Sequence, residues 1–362
     1  LPIWELAEFE EGQALLKKER ACIGFTGCVD SQKLHMAYGL SDGFRYKIIV
    51  TFSDLKAREI YEDYQFYDRD VTLYPAKDLI FYQADIHGNQ LVTDRMKALR
   101  KIIEGKPLTV ITTFAALMSP QVPLEEIAAS VIHIDGDSRL DEGSLARSLT
   151  QMGYEKNYQV DAPGQFSIRG GIIDIFDLTE ENPYRIELWG EEVESIRSFD
   201  LLSQRSVEKL ANVDIYPATE MMLSGQQKEE GLRKIEKEAK AFAGKLQESF
   251  QTEEAHRVRT QVKELREQVQ EFSQITNLES YIRYFYEETV SFLKFFPVGE
   301  TCVFIDEALR VKEHASAVEM EFRESMGHRL EKGYILPGQA DLLYGFEETA
   351  GFLQNLRCVL LS

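Results

Sequence analysis

No apolar run in this 362-residue chain approaches the ~20 residues that a helix needs to cross a bilayer, which excludes a helical membrane protein. Cysteine is scarce. The four residues Cys22, Cys28, Cys302 and Cys358 contain one C-x5-C spacing, which fits neither a zinc site nor a disulfide framework; a reducing, cytoplasmic compartment is expected. The six histidines are scattered without metal-ligand spacing and read as structural, so no metal is expected. Positive charge is also short. Lys and Arg total 41 against 61 Asp and Glu, a formal net charge of −20, and such a surface repels phosphate backbones unless a local basic patch overrides it. Signal-peptide character is missing too, because the opening "LPIWELAEFEEGQALLKKE" is acidic and amphipathic. With no leading Met and a final "LRCVLLS" that reads as a strand, the expectation is a segment of a longer protein.

What is present is a globular composition, 44% apolar and 28% charged, over a length that accommodates two or three domains. Three regions separate by pattern. In the first, 1–122, β-branched runs such as "KIIVTF" and "PLTVITTF" alternate with helical stretches. One of these, "SDLKAREIYEDYQFY", begins at a capping Ser53, and another, "TDRMKALRKIIEG", stops at Gly105. Alternation of this kind predicts an α/β body with a parallel sheet covered on both faces. The second region, 123–213, holds a helix-like "EGSLARSLTQMGY" and four short alternating runs separated by turns at Gly170-Gly171, Glu181-Asn182-Pro183 and Gly190. It predicts a small α+β domain built on antiparallel hairpins. The third, 214–362, opens with a charged helical tract whose apolar positions 258, 262, 265 and 269 step by three or four. Two long helices joined near Thr252 are predicted there, before strands that complete the body. A dimeric coiled coil is the other reading of the tract.

A phosphate-binding loop has the order strand, G-x-x-x-x-G-K-[ST], helix. "GFTGCVDS" follows a short apolar run, and setting its first glycine at Gly24 places Val29, Asp30 and Ser31 on the last three motif positions, with Gly27 in the loop. Val29 carries a branched Cβ where the backbone must turn its N–H groups onto phosphate. Asp30 puts an anion where the lysine belongs, repelling a phosphate charge by about 4 kcal/mol at ~4 Å and an effective dielectric near 20. Lys33 is expected to point away, since two positions beyond Ser31 rotates a helical residue by about 200°. Downstream, "CVFIDE" has the form of a Walker B strand ending in Asp306 and Glu307. The pair suggests a degenerate P-loop, helicase-like body with no catalytic residue and no cofactor, in which the two acids have no phosphate to serve. A plain strand–turn–helix with glycines is the alternative for the loop taken alone.

In "YRIELW", alternation sends Ile186 and Leu188 to the core and Arg185, Glu187 and Trp189 to the other face. Arg169 falls at a strand end beside the glycine turn. Region 123–213 has six arginines and two lysines, a bias toward bidentate carboxylate pairing. Arg and Trp are residue types that concentrate interface energy. Two readings of this face stay open: a docking surface, or an Arg185 paired with Glu187 or Glu194 beside a Trp189 folded over its own turn. Arg197 and Arg205 are weaker candidates, the first as a cross-strand partner and the second as a cap of the "SQRS" turn.

The stretch "FSIRGGIIDIF…NPYRIELWGEEVESIRSFDLLSQRS", Phe166–Ser206, resembles the UvrB-like N-terminal module of the bacterial transcription-repair coupling factors (Mfd). The resemblance covers essentially the whole chain. It implies subregions 1a (1–122), 2 (123–213) and 1b (214–362), with domain 2 inserted into a catalytically inert motor-like body. It implies docking of domain 2 on UvrA through positions matching Arg169, Arg185 and Trp189. It further implies that RNA polymerase contact, DNA contact and ATP hydrolysis belong to later domains, and that a C-terminal domain covers the docking face. UvrB itself carries a tyrosine-rich hairpin that clamps DNA; the corresponding Tyr74–Met96 here is shorter, with only Tyr74 and Tyr82. DNA damage verification is therefore not expected. Against this recruitment module stand two alternatives, a nucleotide hydrolase with a variant loop and a direct DNA binder.

Overall fold

The computed structural model describes residues 5–18, 20–77, 88–271 and 278–362. Among them are fourteen strands, numbered here in chain order. The first four are β1 (Cys22–Phe25), β2 (Tyr46–Thr51), β3 (Val71–Tyr74) and β4 (Leu108–Thr113). Eight follow: β5 (Ile132–Asp135), β6 (Glu155–Lys156), β7 (Gln165–Arg169), β8 (Ile172–Ile175), β9 (Tyr184–Trp189), β10 (Glu192–Phe199), β11 (Ser206–Leu210) and β12 (Asn212–Ile215). Last come β13 (Thr301–Asp306) and β14 (Arg357–Leu361). The chain divides into two compact units, one of Leu1–Asp85, Lys101–Gln121 and Thr289–Ser362, the other of Ile86–Arg100 and Val122–Glu288.

The first unit is the predicted α/β body. Six strands, all parallel, lie in the order β1-β14-β13-β2-β4-β3. The central strands are apolar throughout, with Ile48, Val50, Val110, Ile111, Val303 and Phe304 fully buried, as a parallel sheet covered on both faces requires. Ser53 caps the helix Asp54–Tyr64 by accepting from Lys56 N at 3.3 Å, and Gly105, at φ +64°, follows the end of the helix Gly88–Ile103, most of which belongs to the second unit. Tyr74 belongs to this core: its ring stacks on Phe292 at 3.7 Å and its hydroxyl donates to Gln121 Oε1 at 2.9 Å. Residues 78–87 of the Tyr74–Met96 stretch, Tyr82 among them, lie outside the described residues.

The second unit carries the predicted hairpins. Its larger sheet has the order β11-β10-β9-β8-β7-β6, antiparallel apart from the short parallel pair β6–β7, and β5 pairs separately with β12. Gly170 and Gly171, at φ +56° and +83°, form the two-residue turn that sets Arg169 opposite Ile172; only glycine takes two such angles in succession without strain. Behind the sheet, Phe166, Ile173, Ile175 and Ile186 pack with Leu149 and Tyr154. The charged tract forms the helices Gly225–Glu248 and Thr252–Glu271. They fold against each other as a hairpin, with Ile235, Ala239 and Ala243 buried on one helix and Val258, Leu265 and Val269 on the other. That intramolecular pairing uses the apolar stripe from which a coiled-coil dimer would be built.

Candidate functional site

Two places hold the candidate residues, one in each unit. In the first unit, β1 runs into a loop through Gly27, at φ +78°, and the helix Asp30–Leu40 begins after Val29. Val29 has ordinary extended angles, φ −80° and ψ 160°, so its branched Cβ is accommodated and there is no glycine-like turn at the motif's second glycine. Beside this helix start, β13 ends at Asp306, and Glu307 follows at φ 57°, a left-handed conformation that a non-glycine residue holds only where its surroundings enforce it.

Lys33 corrects the sequence expectation. Its Nζ lies 3.2 Å from Asp306 Oδ1, bonds Glu307 Oε1, and stands 3.7 Å from Asp30 Oδ1, with only 5% of the side chain exposed. The relevant spacing is from Asp30, which holds the position of the motif lysine; three residues is nearly a full turn, so both side chains share a face. The two Walker-B-like acids thus serve an internal ammonium. Asp306 is completed by Thr51, whose Oγ1 donates to Oδ2 at 2.9 Å. Asp30 is held outward by Lys56 at 3.0 Å, and that hydrogen bond lowers its pKa. Burial opposes the charge on Lys33, yet the bonds and charges of Glu307 and Asp306 outweigh it and raise its pKa. The cavity lined by Asp30, Lys33, Lys56 and Asp306 has a volume of about 30 Å³, room for a water or two, whereas ligand pockets run from roughly 300 Å³ upward.

The second place is the outward face of the large sheet in the second unit. Register puts Asp174 opposite both Ser167 and Arg185, Ile172 opposite Arg169 and Glu187, and Arg197 opposite Arg185. Asp174 is the hub, 1% exposed. Arg185 grips it with Nε at 2.6 Å from Oδ1 and an Nη at 2.8 Å from Oδ2, while Arg169 reaches Oδ2 at 3.0 Å. Arg185 also bonds Gln204 and lies over the Phe199 ring at 4.2 Å. Its partner is therefore Asp174, not Glu187 or Glu194, and this hydrogen bond raises the guanidinium pKa further. Glu187 accepts from Ser195 at 2.7 Å and from both Nη atoms of Arg197 at 2.7 and 3.1 Å; the Ser195 bond leads the effects that lower its pKa.

These pairs leave a patterned surface. Trp189 is 79% exposed, standing clear of its turn and not folded over it. Ile172 is half-exposed on the neighbouring strand, and Tyr158 is exposed with its ring 5.6 Å from the Arg169 guanidinium. Arg169 keeps 36% of its side chain in solvent against 14% for Arg185. Of the named candidates, Arg169, Arg185, Glu187, Trp189 and Arg197 are brought onto one face; Arg205 is exposed beside the turn at Asp200–Ser203, where Asp200 accepts from Ser203. Sequence reasoning missed Asp174 and Tyr158. The signal for Asp174 was an acid inside the apolar run "GIIDIF", at an outward position.

Residues 132–221, which include every residue of this face, match the family model described as UvrB interaction domain. The chain is 34% identical over 290 residues, 80% of its own length and 24% of the relative's, to the transcription-repair-coupling factor of Bacillus subtilis (strain 168). To the protein of the same description from Staphylococcus aureus (strain Mu50) it is 28% identical over 331 residues, 90% of the chain and 28% of the relative. It spans about a quarter of the length of the curated relatives it matches. The chain belongs to the transcription-repair-coupling factor family, as a segment that contains a UvrB interaction domain.

Proposed function

We propose that this chain is a non-catalytic recruitment segment that couples transcription to nucleotide excision repair by docking on UvrA through the outward face of its antiparallel sheet. The observation that carries this reading is Trp189, a large aromatic left in solvent on a face whose arginines are fixed by Asp174 and Glu187, inside the matched domain. Aromatic and arginine side chains held rigid before binding lose little entropy on association. Trp189, Arg169 and Tyr158 make the direct contacts; Arg185, mostly covered, holds Asp174 and so positions Arg169. Arg197 with Glu187 stiffens the next strand, and Arg205 lies at the rim.

The body serves as scaffold and not as a nucleotide hydrolase. Lys33 neutralises the acids that would otherwise hold a metal–triphosphate, and Asp30 faces the entry. A net charge of −20 weighs against direct DNA binding. On this reading ATP-driven translocation and the RNA polymerase and DNA contacts belong to other parts of a cytoplasmic parent protein, whose C-terminal domain covers the docking face until polymerase is engaged.

The test is complex formation with purified UvrA by biolayer interferometry, using wild type, Trp189→Ala and Arg169→Ala. Wild-type binding that weakens in both variants is expected; equal affinity of all three removes the face, and no binding by wild type removes the function. Calorimetry with Mg-ATP at millimolar concentration is expected to show no heat, and saturable heat would overturn the non-catalytic part.

A further inference from the structure

The four cysteines are far apart in sequence, yet the parallel pairing of β1 with β14 sets Cys22 directly opposite Cys358. In-register residues on neighbouring strands share a face and stand about 4.7–4.9 Å apart between backbones, inside the ~4.4–6.8 Å Cα separation over which disulfides form. Each thiol shifts the other's pKa, as neighbouring groups do. Cys22 is exposed on the edge strand, and Cys358 is buried behind it. We propose that Cys22 and Cys358 form an oxidisable dithiol, with Cys22 as the sulfur that meets a hydroperoxide and Cys358 as the sulfur that resolves it.

The chemistry balances without another reactant. The Cys22 thiolate attacks hydrogen peroxide, forming an S–O bond and breaking O–O; the leaving hydroxide takes up the proton that the Cys22 thiol released on ionising and departs as water. Cys358 then attacks the sulfenic sulfur, S–S forms, S–O breaks, and the Cys358 proton leaves with the oxygen as a second water. Two thiols are oxidised to one disulfide and one hydroperoxide is reduced. The division of labour follows from the pair's asymmetry. The neighbouring Cys358 thiol holds the Cys22 pKa down, to about 6, while Cys358 is pushed up by Cys22 and by burial. The more accessible sulfur is thus also the better thiolate.

The other two cysteines are poor partners by geometry. Cys302 lies opposite Arg357, one position out of phase with Cys358, so it points to the other face of the sheet; burial pushes its thiol up to about 12. Cys28 hydrogen-bonds through its backbone N–H to Ser362 O at 3.0 Å, four residues past Cys358. At about 3.3 Å per residue it stands ~13 Å from the pair, outside disulfide reach. The consequence is a covalent tie across the edge of the sheet, between strands far apart in the chain.

The experiment treats the folded chain with a small excess of hydrogen peroxide, digests it without reduction and maps the peptides by mass spectrometry. The expected result is a 22–358 cross-linked peptide, lighter by two hydrogens and cleaved by dithiothreitol, retained in Cys28→Ser and lost in Cys22→Ser. A disulfide between Cys22 and Cys28, over-oxidation of Cys22 without cross-linking, or no modification at all would each overturn the assignment. Cys22→Ser alters an exposed position, so its fold, checked by circular dichroism, is expected to be wild-type.

Discussion

Replacing Lys33 by methionine isolates the claim that an internal ammonium occupies the place of a nucleotide's cation. Methionine keeps the length and apolar stem but leaves Asp306, 5% exposed, with Thr51 as its described donor and Glu307 with no lysine. Removing one partner of a buried ion pair costs ~3–5 kcal/mol, because the remaining charge is desolvated without compensation, and this is a large share of a total stability of roughly 5–15 kcal/mol. The sign with pH follows from the charges. Lys33 has a raised pKa in the folded state, so its stabilisation is fully present below the ordinary lysine range and is lost as pH rises through the raised value. Both pH 7.5 and pH 5 lie below that range, so the Lys33→Met deficit is expected at both. Urea melts at pH 7.5 and pH 5, monitored by tryptophan fluorescence and circular dichroism, measure both. The double variant Lys33→Met/Asp306→Asn is expected to recover much of the loss, giving a coupling of about 2 kcal/mol or more. A Lys33→Met chain within about 0.5 kcal/mol of wild type at both pH values would mean that Lys33 is solvated, and the argument for an internally occupied site would fail.

Trp189→Ala is expected to leave the urea midpoint within about 0.5 kcal/mol of wild type, as for an exposed position, while weakening UvrA binding by ~2 kcal/mol or more, about 30-fold; unchanged affinity by interferometry would remove the anchor. Arg185→Ala should instead lower stability by ~2–4 kcal/mol, because Asp174 keeps only the longer Arg169 contact, so its thermal melt and its binding fall together. Arg169→Ala should reduce binding with a melting loss of about 1 kcal/mol or less. Gly171→Ala places a Cβ 3.1 Å from Leu188 O at φ +83° and is expected to cost ~1–3 kcal/mol, read as a lower midpoint in the same melts.

Much of this was legible in the chain itself, where the information is local. Ser53 caps its helix because a hydroxyl three residues before an amide needs no distant partner. Gly170-Gly171 dictates a two-residue turn and therefore the register of β7 on β8. Alternation in "YRIELW" separates the buried Ile186 and Leu188 from the outward Arg185, Glu187 and Trp189. The body's alternating strands and helices likewise indicate a parallel sheet.

What the sequence could not settle depends on registers across long connections. Eight residues separate β8 from β9, too many to count a register through, so the choice of Asp174 over Glu187 or Glu194 as the partner of Arg185 was left to tertiary packing. The fate of the degenerate loop was decided likewise. Composition and spacing reveal that its lysine has become Asp30, but only the approach of β13 to the helix Asp30–Leu40, across 273 residues of sequence, puts Lys33 on Asp306. The same holds for Cys22 and Cys358, which become neighbours because two parallel strands pair side by side. Short-range order follows from each residue's own backbone and side-chain preferences; the partners of buried charges and thiols follow from which strands the folded sheet places next to one another.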